Sequence, residues 1–326
     1  MKYWISLRKV SGGLFVDDID LGPARYLRVP DGEVPLPRHQ IPPTQWVKEI
    51  IGTFAPDPQD PEKGPTGDML FFVHGYNDSI EDVDQRHELI QAGLTTNNFP
   101  CRVISFDWPC GTTALGYLQD RDHARITSVR LVSDGVKRFV RLQTQKCAIR
   151  VHALGHSTGA FVIREGFDHA DDGQATATSW TVGQLVLIAG DVSAVSFSAT
   201  DPETESTYRH CYRLTNYFSG YDQVLQISNV KRVGLSPRVG RVGLPPDAPS
   251  KAINVNCSSH FHATYPDTGN VEIDLPNSHS WYFSDATFHR DLAITLKGSI
   301  DRSVIPTRSD SGIQGTQILI EPAAQA

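Results

Sequence analysis

The segment Gly155-His156-Ser157-Thr158-Gly159 has the pattern G-x-S-x-G, in which glycines stand two positions before and after a serine. It follows the apolar run Ile149–Leu154 and precedes the run Ala160–Ile163, so it lies where a strand meets a helix. Such a turn projects the serine hydroxyl toward substrate and base, and the glycines leave space for its strained backbone. We therefore predict that Ser157 is a nucleophile; the alternative is a serine that only caps the helix.

A second segment, His74-Gly75-Tyr76-Asn77, ends the apolar run Met69–Val73. In enzymes with a serine at such an elbow, the loop after an early strand contributes a backbone N–H group that binds the oxyanion. We predict that the N–H groups of Tyr76 and Thr158 form this oxyanion hole, with the second one at the N-terminus of the helix after the serine. The alternative is an ordinary turn in which the histidine is simply packed.

An acyl-transfer serine also needs a base and a carboxylate that orients the base, in the chain order nucleophile, acid, base. Asp222 follows the strand-like segment His210–Phe218 and fits the position of the acid. Asp191 competes with it, because it directly follows the run Leu185–Gly190. We favour Asp222, and a carboxylate in a surface loop is the alternative for either residue.

Six histidines follow the serine along the chain. We expect His169 on the helix after the serine and His210 at the start of a strand, where neither can reach the serine. His279 lies in a predicted loop between the last strand and the last helix, and we predict that it is the base. His260 and His262 would share one face of a strand, as metal ligands can, but no third ligand with suitable spacing accompanies them. The sequence therefore predicts no metal.

Strands alternate with helices along most of the chain, which predicts parallel strands joined by helical crossovers. The expected fold class is α/β, a three-layer α/β/α sandwich around a mostly parallel sheet. One helix begins at about Ser79, where Ser79 and Asp82 have the spacing of a capping box. Further helices are predicted near 44–51, 115–144, 160–166 and 284–297. The predicted strands are residues 2–10, 24–29, Met69–Val73, Arg102–Phe106, Ile149–Leu154, Leu185–Ala189, His210–Phe218 and Ile253–Cys257.

We predict a single domain over residues 1–326, with a core of about 65–300. Residues 1–64 would add N-terminal strands and a proline-rich surface segment, and residues 301–326 a tail. The proline- and glycine-rich loop 231–251 and the helix around Leu115–Leu118 could cover the site. Each candidate pocket residue could equally be ordinary core; these candidates are His74, Trp108, Tyr117 and Trp281.

The composition is that of a globular protein, with 39% hydrophobic and 21% charged residues among 326. A formal net charge of −7 and the lack of a basic run argue against a nucleic-acid partner. No run approaches the roughly 20 apolar residues of a membrane span, and the N-terminus lacks an apolar signal segment. Five cysteines without C-x-x-C spacing predict free thiols and a cytoplasmic location. No phosphate-binding glycine motif follows the first strand, so we predict no cofactor.

Several motifs between about residues 65 and 295 resemble one protein family. They are Phe72–Asn77, Phe106–Pro109 with the following Gly111, Gly155–Gly159, Ala189–Asp191, Asn216–Leu225 and His279–Phe283. Through them the chain resembles the α/β-hydrolase superfamily and, more narrowly, the bacterial family of uncharacterised hydrolases known as DUF900. The His-Gly-Tyr-Asn and Trp-Pro elements are the more specific ones, because G-x-S-x-G belongs to the whole superfamily.

The resemblance implies a catalytic triad of Ser157, Asp222 and His279, with the oxyanion bound by the amides of Tyr76 and Thr158. The elbow reads Gly-His-Ser-Thr-Gly where the family has Ala-His-Ser-Met-Gly, and Gly-Asp stands where the family often has Pro-Asp. These changes keep the small residues, so they bear on substrate fit rather than on catalysis.

Together the residues and the resemblance predict a serine hydrolase that cleaves small-molecule carboxylic esters through an acyl-enzyme. An acyltransferase, a thioesterase or an amidase could use the same triad. A non-catalytic binding protein on the same fold is the alternative of a different class.

Overall fold

The computed structural model describes residues 1–56, 60, 64–110, 117–140, 148–172, 180–231 and 236–322. Strands and helices alternate over most of these residues. The strands are β1 (Lys2–Ser6), β2 (Arg8–Ser11), β3 (Leu14–Ile19), β4 (Arg25–Val29), β5 (Gln40–Ile41), β6 (Thr66–Val73), β7 (Cys101–Asp107), β8 (Ala148–His156), β9 (Val182–Ile188), β10 (Cys211–Phe218), β11 (Ala252–Asn256), β12 (Arg308–Asp310) and β13 (Thr316–Leu319).

The helices connect these strands and cover the two faces of the sheet. They are α1 (Pro43–Ile51), α2 (Ile80–Thr96), α3 (Tyr117–Arg130), α4 (Lys137–Val140), α5 (Thr158–Asp172), α6 (Pro202–Arg209), α7 (Gln223–Lys231), α8 (Val239–Val242), α9 (Ser258–Thr264), α10 (Val271–Ser280) and α11 (Ala286–Lys297). Of the predicted helix over 115–144, the structure describes residues 117–140, where a π-helical turn at Leu131–Val136 separates α3 from α4.

Eleven of the described strands form one sheet in the order β12–β13–β11–β10–β9–β8–β6–β7–β1–β4–β5. The pairs from β11 through β1 in this order are parallel. Antiparallel pairs occur only toward the edges of the described sheet, where β4 pairs with β1 and β5, and β12 pairs with β13. The predicted mostly parallel sheet is confirmed, and β8, which precedes the serine, lies at its middle.

Strand β6 shows why the central strands are continuously apolar. Met69, Phe71 and Val73 point into one hydrophobic core, whereas Leu70 and Phe72 point into the other. Successive side chains of a strand alternate between the sheet faces, so a strand covered by helices on both faces must be apolar at every position. The two cores therefore lie on opposite faces of the sheet, in the three-layer arrangement that was predicted.

The edges of the sheet extend beyond the predicted core of residues 65–300. At one edge, β1 and β4 of the N-terminal segment continue the sheet beside β7. At the other edge, β12 and β13 lie in the predicted tail and continue it beside β11. The prediction that Ile253–Cys257 is the last strand is therefore wrong, since strands of three and four residues are too short to show a hydrophobic pattern.

The predicted capping box of α2 is confirmed. The Ser79 hydroxyl accepts a hydrogen bond from the Asp82 N–H (3.1 Å), and the Asp82 carboxylate accepts one from the Ser79 N–H (3.0 Å).

Four of the five cysteines, Cys101, Cys110, Cys211 and Cys257, are buried free thiols, whereas Cys147 lies outside the described residues. Among the described helices, none is long and apolar enough to cross a membrane.

Candidate active site

Ser157 lies in a tight turn between β8 and α5. Its φ angle is 53°, in the left-handed region that favours glycine. A Cβ atom at Gly155 would lie 2.8 Å from the Ala160 nitrogen, and one at Gly159 would lie 2.1 Å from the Val73 oxygen. Only glycine fits at these two positions, so the local sequence is dictated by the sharpness of the turn.

The neighbouring strand ends hold this turn in place through backbone hydrogen bonds. The Ser157 N–H donates to the Ile188 carbonyl (3.1 Å), and the Ser157 carbonyl accepts from the Asp191 N–H (2.9 Å). Both contacts come from the end of β9 and the residues that follow it. The strained serine is therefore fixed from two sides and does not depend on its own side chain for its position.

The loop after β6 passes directly beside the serine. A Cβ atom at Gly75 would lie 2.9 Å from the Ser157 Cβ, so only a glycine allows this approach. Tyr76 is the residue after Gly75. Thr158, the residue after the serine, is the first residue of α5. The two residues predicted to donate to an oxyanion thus directly follow Gly75 and Ser157, the two residues that meet at this contact. We call residues 74–78 the oxyanion loop.

His279 and Asp222 form a buried hydrogen-bonded pair. The Nδ1 atom of His279 lies 2.8 Å from Oδ2 of Asp222, whose side chain is 1% exposed. The other carboxylate oxygen accepts from the Leu225 N–H at the start of α7 (2.9 Å). The Asp222 N–H donates to the Ser219 carbonyl in the turn after β10 (3.1 Å). The carboxylate is therefore held in the orientation in which it accepts the imidazole N–H.

His279 lies in the last turn of α10, not in a loop as predicted. Two neighbours fix this turn. The Ser278 hydroxyl accepts from the Gln223 N–H (3.1 Å), which joins α10 to α7. His156 lies against His279, with the ring centroids 4.8 Å apart and the His156 Nε2 atom 3.2 Å from the His279 carbonyl. Because His156 immediately precedes the serine, this contact places the His279–Asp222 pair beside the residue next to Ser157.

Asp191, the competing acid, has a different partner. Its Oδ1 atom lies 3.3 Å from Nε of Arg238, and both side chains are buried. Its backbone supports the serine turn, as described above. Asp191 is therefore close to the site, but its carboxylate faces an arginine, whereas the carboxylate of Asp222 faces the histidine.

The candidate pocket residues lie mostly in the core. His74 and Trp108 are fully buried and stack on each other, with ring centroids 5.5 Å apart. Trp281 is 1% exposed and packs on Tyr282. Trp108 and Trp281 each pack within one of the two hydrophobic cores, and His74 is buried beside Trp108. The Tyr117 side chain, Leu115 and residues 232–235 of the predicted covering loop lie outside the described part of the chain.

His74 lies in the scaffold beneath the oxyanion loop, paired with Asp107. Its Nδ1 atom lies 2.8 Å from the Gly75 carbonyl and its Nε2 atom 3.4 Å from Asp107. Burial alone would lower the pKa of His74, but hydrogen bonding with Asp107 and Cys110 outweighs it and raises this pKa to about 9. Burial likewise opposes ionisation of Asp107, but the charge of Arg8 prevails and lowers its pKa to about 2. Both pKa shifts favour the charged form at neutral pH.

Four residues that support the site were not predicted from the sequence: Arg8, Asp78, Arg86 and His156. Arg8 is fully buried, donates from Nε to Asp107 (2.8 Å) and from an Nη atom to the Asp78 carbonyl (3.2 Å). It comes from the N-terminal strands, about 70 residues away along the chain, so no local spacing could have indicated it. Asp78 and His156 adjoin recognised motifs, and this adjacency was the available signal.

His260 and His262, which would share a face only on a strand, both lie on helix α9. Positions two apart on a helix point in different directions, so the two histidines do not share a face. His260 instead pairs with Asp285 (2.9 Å), and His262 stacks on Tyr221. Within the described ranges, no group of three or more His, Cys, Asp or Glu side chains could hold a metal ion.

Residues 59–291 match the model of a family described as alpha/beta hydrolase of unknown function, DUF900. The chain belongs to this family. The match covers most of the chain and includes the serine turn, the oxyanion loop and the His279–Asp222 pair. The resemblance seen in the motifs is confirmed, and with it the α/β-hydrolase fold.

Several solved structures are similar to this DUF900 chain. A proposed cell-surface hydrolase from Lactobacillus plantarum WCFS1 has 13% identity and a TM-score of 0.35, over 67% of this chain and 92% of that one. A pyrethroid hydrolase from Sphingobium faniae JZ-2 has 21% identity and a TM-score of 0.25, over 40% and 45%. Phospholipase PlaB from Legionella pneumophila has 15% identity and a TM-score of 0.29, over 48% and 40%. No curated protein matches the chain.

Proposed function

We propose that this DUF900 chain is a serine hydrolase that cleaves small-molecule carboxylic esters through an acyl-enzyme. The observation that carries the proposal is the 2.8 Å hydrogen bond between His279 and Asp222, formed next to a serine held at a φ of 53°. A buried Asp–His pair beside a strained serine is the arrangement that general-base activation of a hydroxyl requires.

In the first half of the reaction, Oγ of Ser157 attacks the ester carbonyl while Nε2 of His279 takes the hydroxyl proton. The amides of Tyr76 and Thr158 stabilise the oxyanion of the tetrahedral intermediate. The intermediate collapses as His279 returns the proton to the leaving alcohol. The products of this half are the free alcohol and an acyl group on Ser157.

In the second half, water takes the place of the alcohol. His279 removes a proton from water as it attacks the acyl carbonyl, and the same amides stabilise the second oxyanion. Collapse breaks the bond to Oγ, the serine regains its proton from His279, and the carboxylic acid leaves. Asp222 keeps the imidazole in the tautomer with hydrogen on Nδ1 and stabilises its charge in both halves.

Water is the proposed acceptor because the family is one of hydrolases. The same residues would transfer the acyl group to another alcohol, an amine or a thiol, and would accept a thioester or an amide. Product analysis with methanol or hydroxylamine in competition with water separates hydrolysis from transfer. A matched set of p-nitrophenyl ester, thioester and anilide substrates identifies the bond that is cleaved.

The predicted cytoplasmic location belongs to this proposal, supported by the four described free thiols.

The decisive experiment compares Ser157→Ala with the wild-type protein. We expect wild type to be labelled by a fluorophosphonate probe and to hydrolyse p-nitrophenyl acetate. The substitution should abolish labelling and lower kcat by about 10⁴-fold or more, because it removes the nucleophile. Ser303→Ala, at an exposed serine far along the chain, is the control and should retain both activities. Esterase activity that survives in Ser157→Ala would show that the nucleophile is another residue.

The same assay distinguishes the two acids. Asp222→Asn should lower kcat by about 10⁴-fold, because an amide no longer fixes the imidazole tautomer. Asp191→Asn should lower kcat by less than about tenfold, because that carboxylate faces Arg238. The opposite order would transfer the role of the acid to Asp191. A wild-type protein that neither labels nor turns over any of the substrates would favour the non-catalytic binding protein.

A further inference from the structure

A continuous line of polar contacts connects the oxyanion loop to the proposed base, and Arg86 is at its centre. The Gly75 N–H donates to Oδ2 of Asp78 (3.0 Å), and Nη1 of Arg86 pairs with the same oxygen. That guanidinium nitrogen also lies 3.5 Å from Nδ1 of His156. On its other side, Nε2 of His156 lies 3.2 Å from the His279 carbonyl.

The direction of these contacts is fixed by the protonation of His156. Burial, together with the nearby His279 and Arg86, holds the pKa of His156 well below its ordinary value, so the ring is neutral. A neutral imidazole has one N–H donor and one acceptor nitrogen. Arg86 can only donate, so Nδ1 is the acceptor and Nε2–H donates to the His279 carbonyl. Arg86 therefore sets the tautomer of the side chain that anchors the backbone of His279.

Arg86 also contacts the segment that follows His279. Its guanidinium lies 4.9 Å above the ring centroid of Phe283, and Phe283 packs edge-on against His156. The arginine side chain is 17% exposed, and it comes from α2, whose first turn is fixed by the Ser79 capping box. One arginine thus contacts Asp78 of the oxyanion loop and His156, which in turn contacts the His279 carbonyl.

We propose that Arg86 is a positioning residue that aligns the oxyanion loop with His279, an inference that rests on the proposed function. Without its guanidinium, Asp78 loses its paired charge and His156 loses the donor to Nδ1. Both the Gly75 N–H, which fixes the backbone just before the Gly75–Tyr76 peptide, and the His279 carbonyl then lose their anchors. Displacements of about 1 Å in such groups can cost a hundredfold in rate.

The test is Arg86→Gln in the full chain, with p-nitrophenyl acetate as substrate. We expect kcat and the rate constant of fluorophosphonate labelling to fall together by about 100-fold, while KM stays within about threefold. Arg86→Lys should recover part of the loss, since an ammonium can still pair with Asp78. Arg130→Gln is the matched control, because Arg130 also forms a partly exposed pair with an aspartate (Asp134) but lies away from the site. It should keep the wild-type kcat.

Three outcomes would overturn the inference: an Arg86→Gln protein with kcat within threefold of wild type, an equal loss in Arg130→Gln, or a loss confined to KM. Should Arg86→Gln not fold, Arg86→Lys is the variant measured. The far-downfield proton resonance of the His279–Asp222 hydrogen bond provides a readout that does not depend on turnover. It should move or broaden in Arg86→Lys and stay unchanged in Arg130→Gln. An unlabelled, inactive wild-type protein would refute the proposed function, and the proton resonance would still decide the role of Arg86.

Discussion

Two buried networks built on aspartate–arginine pairs lie on opposite sides of β8 in the strand order. The first lies beneath the oxyanion loop, on the side of β6, β7 and β1; the second lies on the side of β10, β12 and β13. The loop network consists of Arg8, His74, Asp78, Arg86 and Asp107. The tail network consists of Tyr217, Asp291, Thr295, Thr307 and Arg308.

The loop network is open toward the site. Arg8 contacts the backbone of the oxyanion loop at Asp78, and Asp78 in turn accepts the N–H of Gly75. Arg86, a member of this network, also contacts His156, which immediately precedes the serine. The charges of this network therefore act on backbone groups whose positions matter for the proposed reaction.

The tail network is closed around Asp291, whose carboxylate is completely buried. It accepts from the Arg308 guanidinium (2.6 and 2.8 Å), from the Thr307 hydroxyl (2.5 Å) and from the Tyr217 hydroxyl. These contacts join β10, α11 and β12. The comparison indicates that the same ionic chemistry serves alignment of the site in one region and attachment of the C-terminal strands in the other.

The largest expected effect that tests this comparison is on stability. Asp291→Asn should lower the free energy of unfolding by about 3–5 kcal/mol, because it leaves the buried Arg308 guanidinium without a counter-charge. The kcat of the folded protein should stay unchanged, since the tail network does not contact the site residues described above. Urea denaturation and p-nitrophenyl acetate turnover measure the two quantities.

Two further proteins control that experiment. Asp310→Asn removes an exposed carboxylate from β12 and should change stability by less than about 0.5 kcal/mol. Asp291→Asn combined with Arg308→Met removes both charges and should recover part of the loss. If instead the Asp291→Asn protein folds normally and its kcat falls more than tenfold, the division of roles between the networks is wrong.

The loop network should give stability a distinctive pH dependence through His74. Its pKa in the folded protein, about 9, lies above the ordinary value of 6.5. The folded state therefore retains a proton that the unfolded chain loses between these values. The resulting stabilisation is complete below pH 6.5 and is lost as the pH rises through about 9. From the difference in pKa it amounts to about 3 kcal/mol.

His74→Gln isolates this contribution from those of the other histidines. Its deficit in unfolding free energy relative to wild type should be largest at pH 6 and should shrink by about 3 kcal/mol by pH 9.5. His87→Gln is a comparison from outside the network, because burial lowers the pKa of His87 to about 3 and leaves it neutral throughout this range. A deficit for His74→Gln that does not vary with pH would mean that His74 is neutral in the fold.

The sequence permitted prediction of the parts of the molecule that are determined locally. Continuous apolar runs such as Met69–Val73 indicated strands buried on both faces, and the glycines around Ser157 indicated a turn that tolerates no Cβ atom. Asp222 and His279 were selected by their order along the chain and their places after a strand and before a helix. The structure places these two side chains 2.8 Å apart, although its helix α10 replaces the predicted loop.

The remaining features depend on contacts between distant segments, which no local pattern records. Arg8 appeared as one polar residue in an N-terminal strand, and only the fold places it against Asp107. The sequence predicted only a tail around Arg308, because β12 and β13 are too short to show a pattern. They are ordered by pairing in the fold, β13 with β11 and β12 with β13. In the sequence, Arg86 is an ordinary charged residue of a helix. Its contacts become evident only when the segments that pack against that helix are known.

The smallest expected effect concerns Tyr217, the member of the tail network nearest to the site along the chain. Tyr217→Phe removes a hydroxyl that contacts Asp291, Thr295 and Arg308, but it keeps the Arg308–Asp291 pair. Stability should therefore fall by only about 1–2 kcal/mol. Urea denaturation measures this loss. Tyr208→Phe is the matched control, since the Tyr208 hydroxyl makes a buried hydrogen bond to the Phe197 carbonyl outside the network. Its loss of stability should be similar.

The kcat of Tyr217→Phe is the sharper measurement, because Tyr217 precedes the proposed acid Asp222 by five residues. We expect kcat to stay within twofold of wild type. Tyr217 points into the core on one face of β10, whereas Asp222 is held by the turn at Ser219 and by the start of α7. If kcat falls tenfold while stability changes as expected, the tail network reaches the site through β10. The two networks would then differ in distance from the reaction rather than in kind.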